Sequence, residues 1–468
     1  MRKKSAAATV WGWQDDPASG EPLLAHAAPV PAAKPLAYRF PRPVPDAAQY
    51  ARGTPPFRFW VAAEALRRGA DFWSPRVASG RWQPGATLAV ILDQGEDLNA
   101  YYDRQALNFF HAPFRNGVVY SAESPDVLCH EMGHAILDSL RPQLWNAASH
   151  EVPAFHESFG DMSGMLAALQ LPSLRRDVLR ETRGNLHRSS QLSRLAEQLG
   201  QAIRAVDPDA VERDCLRNAV NSFMYHDPLT LPASAPAAQL SSEPHSFSRV
   251  FTGAFLEGLA AMLTAVSGKG GADEQGLLAV SAHMADILVA GILLAPVSSN
   301  YYAQVAAAMV KQAAAVNRAY PPALQAAFVR RGILSMRSAA DAGASGHPAR
   351  RPVRVVRAAP VSLPRVVIDG TRFGLKTRRL LVQAPESSGD ITAAVAAAVT
   401  EAIPSSAAVA EAFTADLFRR GKVDIGTQAA YAWHGASPHV FKTHRLIARG
   451  RGVVLERLRF DCGLHAPR

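Results

Sequence analysis

Residues 127–138 read VLCHEMGHAILD, and the rest of the chain is best read outward from them. They set His130, Glu131 and His134 in the spacing H-E-x-x-H. Just upstream, Ser124 suits an N-cap, Pro125 the first helical position and Asp126 the positive end of a helix dipole. A helix running to Leu140 and stopping before Pro142 is expected. On such a helix residues i and i+4 share a face, so both imidazoles can reach one metal ion from the same side. Zinc suits imidazole, and a catalytic zinc takes three protein ligands and leaves one position for water. Glu131, beside the first ligand, can reach that water without binding the metal. The competing reading is a helix with two partly buried histidines and no ion between them.

A third ligand is needed, and AFHESFGDMSGM (154–165) offers one. Glu157 and Asp161 lie four apart, hence on one helix face, beside the apolar Phe155, Phe159 and Met162. Carboxylates next to a packed face suggest a buried, paired role. Glu157 can complete a His-His-Glu set. Asp161, one turn on, can accept a hydrogen bond from the second ring nitrogen of a ligand histidine. The alternative is an ordinary amphipathic helix with exposed acids.

HEMGH followed by the E-x-x-x-D of HESFGDMSG resembles the thermolysin-like, gluzincin zinc metallopeptidases. The resemblance covers roughly residues 57–334. It implies a two-lobed α+β fold, with a β-rich N-terminal lobe and a helical C-terminal lobe on either side of a Zn²⁺ held by His130, His134 and Glu157. LNAYYD (98–103) is similar to the family's edge strand, which makes Asn99 the residue that binds substrate backbone. LRNAVNS (216–222) points to Arg217 for the carbonyl near the cleaved bond. EPHSFSRVFTGAF (243–255) points to His245 for the oxyanion. Val127 and Leu216 match positions lining the pocket for the residue after the cleaved bond, so an apolar residue is implied there. Read without the resemblance, Arg217 is a surface charge in a helical segment and His245 a capping or surface histidine.

The chain departs from the family at several positions. No Tyr matches the catalytic one between the second His and the Glu; Trp145 lies nearest, and its N–H can donate but cannot act as an acid. The Asp that orients the oxyanion His is absent at its usual offset, with Glu243 as a substitute. His156 replaces an Asn. Of the family's calcium-binding acids only Asp126 matches, and no calcium is expected.

At 468 residues, with 48% hydrophobic and 19% charged residues, the chain can form two or three globular domains. Three cysteines and no C-x-x-C argue against a disulfide framework. The expected organisation is an Ala/Pro-rich, poorly ordered leader (1–55), a β-rich lobe ending in the HEMGH helix (56–140), a helical lobe (141–334), a linker (335–352) and an accessory α+β domain (353–468). Within 153–334 helices are expected almost throughout, broken at 171–173, 227–244 and 267–273. The longest apolar run, Ile287–Val297, is too short to span a bilayer, and the basic N-terminus develops no signal-peptide core. A cytoplasmic location is the default expectation. Net charge is +10, and nine basic residues fall between Arg350 and Arg379. They alternate with Pro and Val rather than stacking aromatics, so no nucleic-acid partner is expected. No P-loop or G-x-S-x-G occurs.

The expectation is therefore a zinc-dependent endopeptidase acting on peptide or protein substrates through a metal-activated water. Glu131 serves as the base and His245 stabilises the oxyanion. The alternative is a non-catalytic zinc-binding or scaffolding protein that keeps the same metal site.

Overall fold

A computed structural model describes residues 8–268, 270–344, 362–386, 391, 404–430 and 441–463. The architecture is mixed α+β. Strands β1 (Thr9–Trp13) and β2 (Leu23–Ala27) form an antiparallel hairpin, followed by β3 (Ala37–Arg39). The hairpin lies on helix α1 (Pro55–Trp73), with Trp13 packed edge-on to Phe57 at 6.1 Å. This corrects the expectation of a poorly ordered leader. Val10 and Trp13 are buried between Ala- and Pro-rich flanks whose composition hid them.

Helix α1 starts where Thr54 accepts from Phe57 N and Pro55 takes the first turn. Strands β4 (Thr87–Ile91), β5 (Ala100–Tyr102) and β6 (Ala106–Phe109) follow, then the β7 (His111–Phe114) and β8 (Gly117–Tyr120) hairpin. β3 runs parallel to β4 and β4 parallel to β6, while β5 lies antiparallel to β6.

Helix α2 (Pro125–Leu140) begins at Ser124, whose hydroxyl accepts from Val127 N, and ends before Pro142, as expected. Helices α3 (Glu151–Ala168) and α4 (Pro172–Thr182), strand β9 (Arg194–Leu195), helix α5 (Glu197–Val206) and strand β10 (Arg217–Asn218) come next. The near-continuous helix expected over this stretch fails between α4 and α5 and again after α5. Asn218 Oδ1 accepts from Val220 N at 2.9 Å and Asn221 Oδ1 from Phe223 N at 3.1 Å. These side chains give the backbone a local alternative to helical hydrogen bonds. Arg217 thus stands on a short strand paired with Leu195.

Helices α6 (Pro244–Val266), α7 (Glu274–Leu294), α8 (Tyr301–Val316), α9 (Tyr320–Arg330) and α10 (Met336–Ala344) complete the helical part. α10 occupies residues expected as linker, and Ala339 and Ala342 are buried against α8 and α9. α6 and α7 are long and apolar enough to cross a membrane by length and composition, unlike the short run singled out above. Yet 72% and 56% of their most apolar windows are buried inside the fold.

A second sheet follows, of β11 (Arg365–Ile368), β12 (Leu380–Gln383), β13 (Val423–Asp424), β14 (His444–Arg449) and β15 (Gly452–Arg457), in the order β11-β12-β15-β14-β13. Helix α11 (Ser406–Arg419) buries Phe413 and Leu417 against Leu380, Val382 and Val453. Linker residues 345–352 and part of the basic stretch lie outside the described residues. This part is fastened to the rest: His150 Nε2 lies 2.6 Å from Asp416 Oδ2, and Ala148 N–H donates to Gln383 O at 2.9 Å. Its last strand, β16 (Phe460–Asp461), leaves the second sheet and pairs antiparallel with β5 of the first.

Candidate metal centre

The site forms where α2 crosses α3, and two glycines allow that crossing. A Cβ on Gly133 would lie 2.9 Å from Gly160 Cα, and one on Gly160 would lie 2.5 Å from the His130 ring. His130 and His134 therefore face Glu157 directly. His130 Nε2 is 3.3 Å from Glu157 Oε2, and His134 Nε2 is 3.7 Å from Glu157 Oε1.

All three side chains are buried, and His130 Nε2, His134 Nε2 and Glu157 Oε2 have no hydrogen-bond partner among the described residues. Buried polar atoms are rarely left so, because an unmade bond costs about 1–3 kcal/mol. Converging imidazole and carboxylate donors of this kind fit a cation held between them. Both Glu131 oxygens are also buried and unpartnered. Burial pushes the Glu131 carboxyl up to about 8, against the pull of neighbouring His130.

Asp161 Oδ1 lies 3.0 Å from His130 Nδ1, leaving Nε2 turned towards Glu157. Arg217, expected on its own merits as a surface charge, is buried and binds Asp161 through Nε at 3.1 Å and Nη2 at 2.8 Å. Burial works against the Asp161 anion, but Arg217 and His130 hold its carboxyl well below the usual range. Burial likewise opposes charge on His130, and the Asp161 and Glu157 carboxylates outweigh it, raising His130 to about 9.

His245, in the first turn of α6, places Nε2 3.3 Å from Glu157 Oε2. Its Nδ1 lies 2.8 Å from Glu243 Oε1, while Glu243 Oε2 caps the helix by accepting from Ser246 N. The carboxylate thus takes the position proposed for it beside the ring. Burial disfavours the His245 cation, but Glu157 and Glu243 raise it to about 10.

Asn99 leads into β5, fully buried, with Oδ1 accepting from Ala100 N at 2.8 Å and Nδ2 unpartnered. Val127 and Leu216 line one small pocket with His130, Arg217 and Cys462, a cavity of about 10 Å³. A far larger cavity of about 760 Å³, walled by Arg217, Glu243, His245, Arg249 and Arg420, opens beside it.

Trp145 does not enter the site. Its indole N–H donates to Arg457 O at 3.1 Å, and its ring packs on Tyr102 and Phe460. His156 stacks on Phe460 at 4.0 Å, which gives it a packing role.

Two features escaped sequence reasoning. Cys462 Sγ lies within 4.8 Å of donor atoms on His130, Glu131, His134, Glu157 and His245. No spacing rule links a cysteine so far along the chain to the motif. Secondly, Asp126 is not alone: Asp15, Asp126 and Glu197 group their carboxylates within 4.8 Å, with Asp16 hydrogen-bonded alongside to Ser124. Two of these acids come from the leader expected to be poorly ordered, and no local pattern links them to the others. Compared with protein-family models and with curated proteins, the chain matches none.

Proposed function

We propose that this protein is a zinc-dependent endopeptidase with a thermolysin-like, gluzincin arrangement of its two lobes. One observation carries the reading. His130, His134 and Glu157 converge with unpartnered donor atoms, and the buried Glu131 carboxyl stands beside them. A structural metal site has no need of a buried, unpaired base next to its ligands.

His130, His134 and Glu157 would hold Zn²⁺, which in such a site polarises a carbonyl and acidifies a water. The residues of the chain account for the remaining steps. Glu131, beside those ligands, would take a proton from the attacking water and pass it to the leaving nitrogen. His245, with Nδ1 against Glu243, is placed to donate from Nε2 towards the developing oxyanion. Asp161, bound by Arg217, keeps the His130 ring in place. Val127 and Leu216 favour an apolar residue after the cleaved bond.

Cys462 favours a second reading. A fourth donor closes the coordination shell, and closed shells are typical of structural zinc. In that case the protein is a non-catalytic zinc-binding or scaffolding module.

The test combines elemental analysis with casein hydrolysis for the protein and for Glu131→Gln. The peptidase reading expects about one zinc per chain in both proteins and chelator-sensitive cleavage that only Glu131→Gln abolishes. Equal, measurable cleavage by the two proteins would overturn it.

A further inference from the structure

We propose that residues Phe460–Gly463 are a built-in inhibitor that lies along the cleft as a substrate would, with the Cys462 thiol supplying a fourth ligand to the metal. This rests on the peptidase reading above and adds its regulation.

Each residue of the segment meets one feature of the groove. Phe460 pairs with Tyr102 and Asp461 with Tyr101 across the β16–β5 ladder, and Cys462 N–H donates to Ala100 O at 2.9 Å. An extended peptide binding a sheet edge gains its affinity from such main-chain bonds and its specificity from alternate side chains. The Phe460 ring stacks on His156 and, at 4.9 Å, on the ligand His134. The Asp461 carbonyl oxygen lies 2.6 Å from His245 Nε2, the group assigned to a substrate's oxyanion. Gly463 touches Asn99 so closely that a Cβ there would lie 2.5 Å from the amide carbon.

The thiol completes the argument. Cys462 Sγ sits among His130, His134 and Glu157, whose unpartnered buried atoms form an independent sign of a cation. On coordination the S–H proton is released to solvent and a metal–sulfur bond forms, with no change of oxidation state. The position a water needs is then filled. Upstream, Arg457 and Trp145 hold each other's backbone carbonyls, through Arg457 Nε at 3.0 Å and Trp145 Nε1 at 3.1 Å, fixing the approach of the strand.

The experiment loads the full chain with Co²⁺ and records the near-ultraviolet thiolate-to-cobalt absorbance. It is paired with cleavage assays of the zinc-loaded protein. The inhibitor predicts the band in the wild type and its loss in Cys462→Ser, which still binds cobalt. It also predicts cleavage about tenfold or more above wild type in Cys462→Ser and in Gly463→Val, whose new side chain would drive the strand off Asn99. If either variant fails to fold, alkylation of the wild type with peptide mapping serves instead: bound metal should protect Cys462. Cobalt bound without the band, or variants no more active than an active wild type, would overturn the inhibitor alone. No metal bound, or a sulfur-ligated metal with no cleavage by any variant, would overturn the peptidase reading and the inhibitor with it.

Discussion

Asp161 Oδ1 lies 3.0 Å from His130 Nδ1, and the same carboxylate receives Arg217 Nη2 at 2.8 Å. One buried anion therefore orients a ligand imidazole on one side and balances a buried guanidinium on the other. Asp161→Asn should weaken metal binding by about 10–100-fold, the usual cost of losing such a partner. It should also destabilise the fold by about 3–5 kcal/mol by leaving Arg217 uncompensated. Chelator competition and denaturant unfolding measure the two effects. Unchanged metal affinity would remove Asp161 from the positioning role.

His245 and Glu243 form the second such pair, 2.8 Å apart. In the Cys462→Ser background, His245→Ala should lower kcat by about 10²–10³ with KM little changed, as for loss of an oxyanion donor. Glu243→Gln should give a smaller loss of the same kind, because it weakens the ring's charge without removing it. A pure KM effect from His245→Ala would mean that the ring binds substrate without stabilising the transition state.

Gly160 has no room for a side chain, since a Cβ would meet the His130 ring at 2.5 Å. Asp161 pins that ring, so it cannot easily step aside. Gly160→Ala is expected to cost about 1–3 kcal/mol by overpacking and to reduce zinc content. Full zinc content at wild-type stability would show that the helix pair has slack.

The acid cluster makes a pH prediction. Burial, reinforced by Asp16, pushes Asp126 up to about 7, and burial together with Asp126 raises Asp15. A carboxyl raised in the folded state stabilises fully below its unfolded value near 4, and that stability is lost as pH rises through the folded value. Between about pH 4 and 7 the denaturation midpoint should therefore fall as pH rises, and Asp15→Asn should flatten the fall. A midpoint rising across that window, after chelation, would contradict the cluster as drawn.

Helix α2 was legible because its cues are local. Ser124, Pro125 and the i, i+4 histidines act within a few residues, and the structure starts and stops α2 where they say. The second sheet was legible too, through β-branched runs such as RVVI and VVLER. What the sequence hid depends on distant partners. Val10 and Trp13 become strand residues only because α1 gives them a surface, and a composition-level reading of their neighbours cannot see that. Asn218 and Asn221 favour bonds to their own backbone over the helix that periodicity suggested around Arg217. Cys462 was invisible for the same reason: the β16–β5 pairing that delivers it joins two segments at almost opposite ends of the numbering.

That pairing has a consequence for the order of biosynthesis. Translation delivers His130, Glu157 and His245 long before Cys462. Between residue 334 and β16 the ribosome adds roughly 130 residues, about 6–25 s of elongation. Throughout that interval a nascent chain can already assemble α2, α3 and α6 while the far side of β5 stays empty. A nascent chain that had folded these helices by then would present β5 without its β16 partner until the C-terminal residues emerged.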